Sequence, residues 1–290
     1  STADITSNTI RSNGQYGIYT DNSIANIERN TISDHSYYGI YINNSPATTI
    51  ITNNTISATG IYGIYALDST LAITGNTISG YTADGAIFAD GTTLLNSTIS
   101  DNSIDGNVVV VGGTLDHSTR WSGTYVVDRL TVASGVTLTL EAGTMIKFVS
   151  AGRMTIDGTL NAVGTADKKI YFTSFNDDTV GGDTNGDGDG TVPAAGNWQR
   201  LDFRANSTGS VMDNVAVRYG GGGYAAVSIS SLETTTVKNS TIRDNQYYGI
   251  VLYAAGDAVI ANNTIENNGS FGIYAYGSSN QLGYHMRRGA

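Results

Sequence analysis

The chain contains no cysteine, and it has only 2 prolines among its 290 residues. Without cysteine it can form no disulfide, no thiolate metal site and no cysteine nucleophile. No run of about 18 apolar residues occurs, so the sequence predicts no membrane-spanning segment. Ser1 directly precedes a repeated motif and no signal peptide is visible. We therefore expect either a mature form or a fragment of a longer protein.

Charge is also scarce, and positive charge most of all. Charged residues make up 14% of the chain, and the 25 acidic against 15 basic residues give a net charge of −10. Nucleic-acid binding needs clustered lysine and arginine, so we predict no nucleic-acid partner. An acidic surface rich in threonine and asparagine is typical of exported proteins, and it indicates an extracellular or cell-surface location.

What the chain does contain is an internal repeat. The triplet Asn-Thr-Ile begins at residues 8, 30, 54 and 76, with spacings of 22, 24 and 22 residues, and again at 263. The variant Ser-Thr-Ile begins at residues 97 and 240. A second triplet, Tyr-Gly-Ile or Phe-Gly-Ile, begins at residues 16, 38, 62, 248 and 271. Each repeat thus holds short apolar segments separated by asparagine, glycine and serine. No segment shows the 3.6-residue periodicity of an amphipathic helix.

Strands this short cannot bury an apolar face alone, but stacked repeats bury a continuous core. The sequence therefore predicts an all-β fold, a parallel β-helix with three short strands in each rung of about 23 residues. In each Asn-Thr-Ile triplet the asparagine and isoleucine point inward and the threonine outward. We expect the inward amides to hydrogen-bond along the stack. They belong to Asn8, Asn30, Asn54, Asn76 and Asn263.

This pattern resembles the right-handed parallel β-helix repeat proteins, which include pectate lyases, phage tailspikes and many bacterial surface proteins. The repeat is lost between residues 107 and 175, where other motifs resemble the opening of a β-helix module in large bacterial and archaeal surface proteins. These motifs are Trp121–Val127, Gly135–Phe148, Gly158–Thr165 and Ile170–Ser174.

The two resemblances together imply a right-handed solenoid in two parts. β-Helix repeats occupy residues 1–106, and a junction at 107–125 starts a second module. That module covers 126–284 and contains an inserted acidic loop at 176–197, while 285–290 form a tail. In the surface proteins a Gly-x-Trp motif returns the chain to the helix, so we expect Trp198 to pack in the core or against the loop.

The inserted loop contains the strongest local motif. Asp183, Asn185 and Asp187 alternate on a glycine-rich segment and fit the first half of an EF-hand loop. The second half does not fit, because Ala194 stands where a bidentate glutamate belongs. We predict a structural Ca²⁺ site of different geometry, and the alternative is a solvated acidic loop. The residues that would complete the site are Asp189, Asp177 and Asp178.

A row of aromatic residues is a second candidate site. Each member follows an inward residue by one position and should therefore face outward. The row consists of Tyr19, Tyr41, Tyr65, Phe88 and Tyr274. Outward rings can stack on the sugar rings of a polysaccharide, or they can stack on each other and stabilise the rod.

Sequence support for catalysis is weak, and the sequence assigns no catalytic residue. The chain has three histidines and no Gly-x-Ser-x-Gly motif, so nothing indicates a nucleophile with its base. One set of arginines and aspartates fits a surface ion-pair network or, as the alternative, a lyase-like groove. The set is Arg204, Arg218 and Arg243 with Asp202, Asp213 and Asp244.

Taken together, the sequence favours a non-catalytic extracellular β-helix protein that acts as a rigid stalk, an adhesin or an assembly subunit. A polysaccharide or cell-surface glycan is the candidate partner. The alternative is a polysaccharide lyase or glycoside hydrolase, acting on either an acidic or a neutral polysaccharide. Exposed end rungs would also allow end-to-end self-association.

Overall fold

The computed structural model describes residues 2–82, 85–104 and 109–277, which fold almost entirely into short parallel strands. The N-terminal half contains β1 (Thr2–Thr6), β2 (Thr9–Arg11), β3 (Tyr16–Asp21), β4 (Ile24–Glu28), β5 (Thr31–Ser33), β6 (Tyr38–Asn43), β7 (Thr49–Thr52), β8 (Thr55–Ser57), β9 (Tyr62–Leu67), β10 (Leu71–Thr74), β11 (Thr77–Ser79), β12 (Ile87–Asp90), the helix α1 (Gly91–Asn96), β13 (Thr98–Ser100) and β14 (Ser103–Ile104).

The C-terminal half contains β15 (Val109–Leu115), β16 (Thr119–Trp121), β17 (Thr124–Val132), β18 (Thr137–Leu140), β19 (Met145–Ile156), β20 (Thr159–Val163), β21 (Ile170–Ser174), β22 (Leu201–Phe203), β23 (Val211–Asp213), β24 (Val215–Arg218), β25 (Ala225–Ile229), β26 (Thr236–Lys238), β27 (Thr241–Arg243), β28 (Tyr248–Tyr253), β29 (Val259–Ala261), β30 (Thr264–Glu266) and β31 (Ile273–Tyr276). In the part of the chain that the structure describes, no helix has the length and apolar character needed to cross a membrane.

The predicted parallel β-helix of about 12 turns is confirmed. In the N-terminal half, successive strands of a turn join three different sheets. The first sheet contains β1, β4, β7, β10 and β13, and the second contains β2, β5, β8, β11 and β14. The third begins with β3, β6, β9 and β12. Strands pair in register, so that Ile10, Ile32, Ile56 and Ile78 stack in one column. From Ile32 onward these isoleucines are buried.

The asparagine ladder is also confirmed, and it explains why Asn recurs at one corner of each turn. Asn54 is buried, and its Nδ2 donates to the carbonyl oxygen of Ile27 at 2.8 Å and to Oδ1 of Asn76 at 2.9 Å. Its own Oδ1 accepts from the backbone nitrogen of Asn30 at 2.9 Å. The ladder extends to Asn102, whose Oδ1 accepts from Asn76. Each amide thereby satisfies backbone groups that the corner leaves unpaired.

The residue before each ladder position adopts a left-handed conformation, which turns the chain from one sheet to the next. Asn53 has a φ of 56° and Asn239 a φ of 51°, and asparagine tolerates this region. Gly75 takes the same place at φ 68°. Arg29 occupies it at φ 55°, where a longer side chain is less well suited.

The two halves form one continuous rod, because the third sheet passes through the junction without a break. β12 pairs with β15, which pairs with β17, which pairs with β19. β19 is 12 residues long and splits the sheet. Its first part pairs with β21 and its last part pairs with β22. One branch continues through β24, β27 and β30, and the other through β25, β28 and β31. A fourth sheet contains β16, β18, β20, β23, β26 and β29.

Because the third sheet divides at β19, the repeat motifs of the C-terminal half lie one face further around the rod than those of the N-terminal half. The Tyr-Gly-Ile strands of the N-terminal half are continuous with β24, β27 and β30. β27 and β30 carry the triplets of the Asn-Thr-Ile type, Ser240–Ile242 and Asn263–Ile265. The later Tyr-Gly-Ile strand β28 lies on the other branch. Equivalent motifs of the two halves therefore lie on different faces.

The predicted insertion lies between β21 and β22, and Trp198 closes it. Trp198 is fully buried, stacks on Phe148 at a centroid distance of 4.3 Å, and donates from its indole nitrogen to the carbonyl oxygen of Arg218 at 2.9 Å. The prediction that it packs in the core is confirmed. The predicted tail 285–290 lies outside the described residues.

Candidate functional site

The inserted loop is attached to the rod by a buried ion pair. Asp177 is fully buried, and its Oδ2 lies 2.6 Å from one terminal guanidinium nitrogen of Arg218 and 2.8 Å from Nε. Thr173 and Thr179 also donate hydroxyl hydrogen bonds to the carboxylate. Arg218 stacks on Tyr171, with 5.4 Å between the guanidinium carbon and the ring centroid. This network docks the start of the loop on β21 and β24.

A second buried cation supports the next part of the loop. Lys147 on β19 has no exposed side-chain surface, and its Nζ donates to the carbonyl oxygen of Gly182 at 2.6 Å and to the hydroxyl of Thr184. Nζ also lies 4.0 Å from Oδ1 of Asp178. Burial lowers the pKa of Lys147, while the charge of Asp178 opposes that change. Nζ of Lys147 therefore lies directly under an acidic part of the loop.

Three carboxylates of the loop converge above Lys147. Oxygen atoms of Asp178, Asp183 and Asp187 all lie within 4.8 Å of one another. Ca²⁺ binds oxygens at about 2.3–2.6 Å, so two ligands of one ion can be about 5 Å apart. Oδ1 of Asp178 is buried and accepts no hydrogen bond among the described residues. Burial and the neighbouring carboxylates raise the pKa of Asp178, while Lys147 lowers it.

Hydrogen bonds within the loop orient two of the three carboxylates. Asp183 accepts from the backbone nitrogens of Gly186 at 2.7 Å and Gly188 at 2.9 Å, which fixes both of its oxygens. Asn185 donates to Oδ2 of Asp187 at 3.0 Å and orients that carboxylate. Oxygen ligands with net negative charge are what Ca²⁺ prefers. A bound cation would balance negative charge of the three carboxylates that Lys147 alone does not balance.

Only some of the six predicted metal ligands lie together in the structure. Asp178, Asp183 and Asp187 come together, and Asn185 lies beside them. Asp177 lies outside this carboxylate group, and its carboxylate accepts hydrogen bonds from Arg218, Thr173 and Thr179. Asp189 is exposed and lies outside the carboxylate group.

The aromatic row of the N-terminal half is a continuous stack whose ring faces contact each other. Tyr19 stacks on Tyr41 with centroids 5.1 Å apart and 13° between planes, and Tyr41 stacks on Tyr65 at 5.5 Å and 11°. Tyr65 stacks on Phe88 at 4.5 Å and 9°. Burial raises the pKa of Tyr65 from 10 to about 12. The inner rings have no free face for a sugar, which favours rod stabilisation as their role.

Two members of the predicted row differ from the other three. Phe88 is only 6% exposed, because it packs with Val110 and Val126 in a small apolar cluster on the outer side of the junction. Tyr274 stacks on Tyr248 at 5.4 Å and belongs to the other branch of the sheet. Phe88 is therefore covered by its neighbours, whereas Tyr274 is exposed as expected but lies apart from the N-terminal row.

The predicted arginine and aspartate set is spread over several faces. Arg204 lies 3.4 Å from Asp202 beside β22, and Arg243 lies 3.1 Å from Asp244 after β27. Arg218 is held by Asp177. Asp213 pairs with Lys238 at 3.3 Å on the fourth sheet. The set therefore forms separate ion pairs and no single groove.

The sequence did not reveal a column of three arginines on the outer side of the third sheet. Arg129 pairs in register with Arg153. Arg153 and Arg200 directly precede the paired residues Met154 and Leu201. The long insertion between β21 and β22 hides this register, since Arg153 and Arg200 are separated by 47 positions in the sequence. An alignment of successive rungs would have been needed to reveal this column from the sequence.

Comparison with known proteins supports the fold. The model of a family described as the right-handed beta helix region matches residues 1–139 and 197–284. The gap between the two segments includes the inserted acidic loop. Searches of curated proteins and of solved structures found no match.

Proposed function

Because the chain belongs to the right-handed β-helix family, we propose that it is a non-catalytic extracellular rod that serves as a stalk or adhesin. The observation that carries this proposal is the continuous third sheet, which joins both halves into one stiff body. Stacked repeats bury a core along their whole length and keep binding surfaces at a fixed distance. The charged groups Arg218, Asp177 and Lys147 are engaged in holding the loop, which supports a structural role for them.

We further propose that the loop binds a structural Ca²⁺ through Asp178, Asp183 and Asp187. The buried oxygen of Asp178 and the close carboxylates support this assignment. Extracellular modules commonly use Ca²⁺ sites with dissociation constants of about 10⁻⁴–10⁻³ M, which suits the proposed location. The ion would hold the loop against the rod and would take no part in a reaction.

The calcium site is tested by melting temperatures in EDTA and in millimolar CaCl₂. We expect Ca²⁺ to raise the melting temperature of the unmodified protein, because an ion that binds the folded state stabilises it. Asp183→Asn and Asp187→Asn should abolish the increase. Asp189→Asn, outside the carboxylate group, is the matched control and should retain it. An equal response of all four proteins, or no response, contradicts the site.

The non-catalytic role is tested by incubation with acidic and neutral polysaccharides in calcium buffer. We expect polymer lengths to stay constant in size-exclusion chromatography. Shortened chains would contradict the proposal and support the lyase or hydrolase alternative. Binding without shortening would support an adhesin, and absence of both would leave the rod as a stalk or an assembly subunit.

A further inference from the structure

The first turn of the described rod (β1, β2 and β3) and its last turn (β29, β30 and β31) are built from the same motif. Residues 5–19 and 260–274 align without a gap, with isoleucine, glycine and the ladder asparagine at the same places. The backbone agrees as well, because the residue before the ladder asparagine is left-handed in both turns. Ser7 has a φ of 57° and Asn262 a φ of 55°. Either turn could therefore continue the repeat of the other.

The last turn leaves apolar core positions uncovered on its outer side. Ile273 is 47% exposed, whereas Ile250, its neighbour in the same column, is fully buried. Phe271 is 53% exposed, and Ile260 and Ile265 are only partly buried. A strand edge that carries apolar side chains is a template for pairing with another strand. The last turn therefore has the properties of an interaction surface.

The asparagine ladder lacks complementary hydrogen bonds at its two ends. In an inner turn the backbone nitrogen of Asn30 donates to Oδ1 of Asn54 in the next turn, at 2.9 Å. The backbone nitrogen of Asn263 has no such acceptor among the described residues. At the other end, Nδ2 of Asn8 donates to the carbonyl oxygen of Thr6 and to Oδ1 of Asn30, both at 3.1 Å. It lacks the carbonyl of a preceding turn, to which Asn54 donates. Each end thus presents the group that the other end needs.

The charges of the two ends are complementary in the register that the repeats use. If the pairing of β27 with β30 continues by one turn, Arg11 of a second copy lies opposite Glu266. Glu266 pairs in register with Arg243 of its own chain, so charges alternate in sign along this column. Opposite charges on neighbouring strands attract and like charges repel. The two aspartates of the first turn, Asp4 and Asp21, meet uncharged residues in the same register.

We propose that the last turn of one molecule binds the first turn of a second copy, so that rods assemble head to tail into a longer β-helix. β30 pairs with β2 of the second copy, and Asn263 donates to Oδ1 of its Asn8. Nδ2 of that Asn8 in turn donates to the carbonyl oxygen of Ile260. A contact between two different surfaces of the same chain adds copies in a line. This inference rests on the proposed rod function and assigns the rod its partner.

Sedimentation velocity of the full chain over a range of concentrations tests the proposal. We expect species heavier than the monomer, in amounts that increase with concentration. Arg11→Glu places a carboxylate opposite Glu266 and should weaken association by about 5-fold, because an attractive pair becomes a repulsive one. Arg129→Glu makes the same change of net charge at an exposed position away from both ends, and this matched control should associate as the unmodified protein does. The double variant Arg11→Glu, Glu266→Arg should recover association.

An engineered disulfide tests the register, because the chain contains no cysteine of its own. Thr9 and Thr264 are exposed, and across the proposed contact they lie on neighbouring strands about 4.8 Å apart, which a disulfide can span. Within one molecule they are separated by the length of a rod of about 12 turns. Oxidised Thr9→Cys, Thr264→Cys should therefore give covalent multimers in non-reducing electrophoresis. Thr77→Cys, Thr264→Cys, with its first cysteine at an exposed position of a middle turn, is the control and should give none.

Two results would overturn the proposal. A chain that stays monomeric at every concentration and forms no covalent multimers would indicate that something other than a second copy covers the last turn. Equal association of Arg11→Glu and Arg129→Glu, with equal crosslinking of both cysteine pairs, would place the contact elsewhere on the rod. The calcium and polysaccharide tests do not depend on association, so failure here is distinct from failure of the proposed function.

Discussion

At the scale of the residue, the corner of each turn depends on one amide. Asn54 donates to Ile27 and Asn76 and accepts from Asn30, so a single side chain connects three rungs. The sequence indicated this role by repetition alone, since an inward-facing polar residue must find partners. In the C-terminal half Ser240 occupies the same place, and its hydroxyl donates to the carbonyl oxygen of Lys238 at 2.6 Å.

Replacement of Asn54 by leucine should destabilise the protein by about 3 kcal/mol, because several buried backbone groups would lose their partners. Asn54→Ser should cost about 1 kcal/mol, as the hydroxyl can retain some of these bonds. Urea denaturation followed by circular dichroism gives both values. Equal losses for the two variants would show that packing volume, and not hydrogen bonding, sets the requirement for asparagine.

At the scale of the element, the inserted loop has little regular structure and relies on charges supplied by the rod. Lys147 and Arg218 come from strands β19 and β24, while their partners come from the loop. A lysine at an outward position of a strand normally reaches solvent. Here the loop covers it, and the hydrogen bonds to Gly182 and Thr184 replace water.

Asp177→Asn should destabilise the protein by about 3 kcal/mol, since it leaves the guanidinium of Arg218 buried without its counter-charge. The double variant Asp177→Asn, Arg218→Met removes the stranded cation and should recover much of that loss. Glu28→Gln, in the exposed pair with Arg29, is the control and should change stability by less than about 1 kcal/mol. If Asp177→Asn is as stable as Glu28→Gln in chemical denaturation, the buried pair does not hold the loop.

At the scale of the whole molecule, the junction decides whether the two halves behave as one body. Val127 is fully buried, and its strand β17 pairs with β15 on one side and β19 on the other. The motifs of the two halves differ, yet the hydrogen-bonded ladder continues between them. Stability should therefore be coupled across the junction, because neighbouring rungs of a solenoid support each other.

Val127→Ala should reduce stability by about 2 kcal/mol, from the lost methyl groups and the cavity they leave. Hydrogen exchange followed by mass spectrometry should show faster exchange in both β12 and β21, on either side of the junction. Val163→Ala, which changes an exposed side chain of β20, should leave exchange at both strands unaltered. An effect restricted to one side would mean that the halves unfold independently.

The sequence by itself determined the solenoid, the inward isoleucines, the asparagine ladder, the position of the inserted loop and the buried Trp198. These features follow from local alternation and from repetition at a nearly constant spacing, and both can be read without coordinates. The tertiary structure decided which loop aspartates converge and showed that Asp177 belongs to Arg218. It also decided that Tyr274 lies on a different face from Tyr19 and that Arg129, Arg153 and Arg200 share a column. Those relations depend on the register across the split in β19 and across a long insertion, where the spacing of the repeat no longer predicts which residues are neighbours.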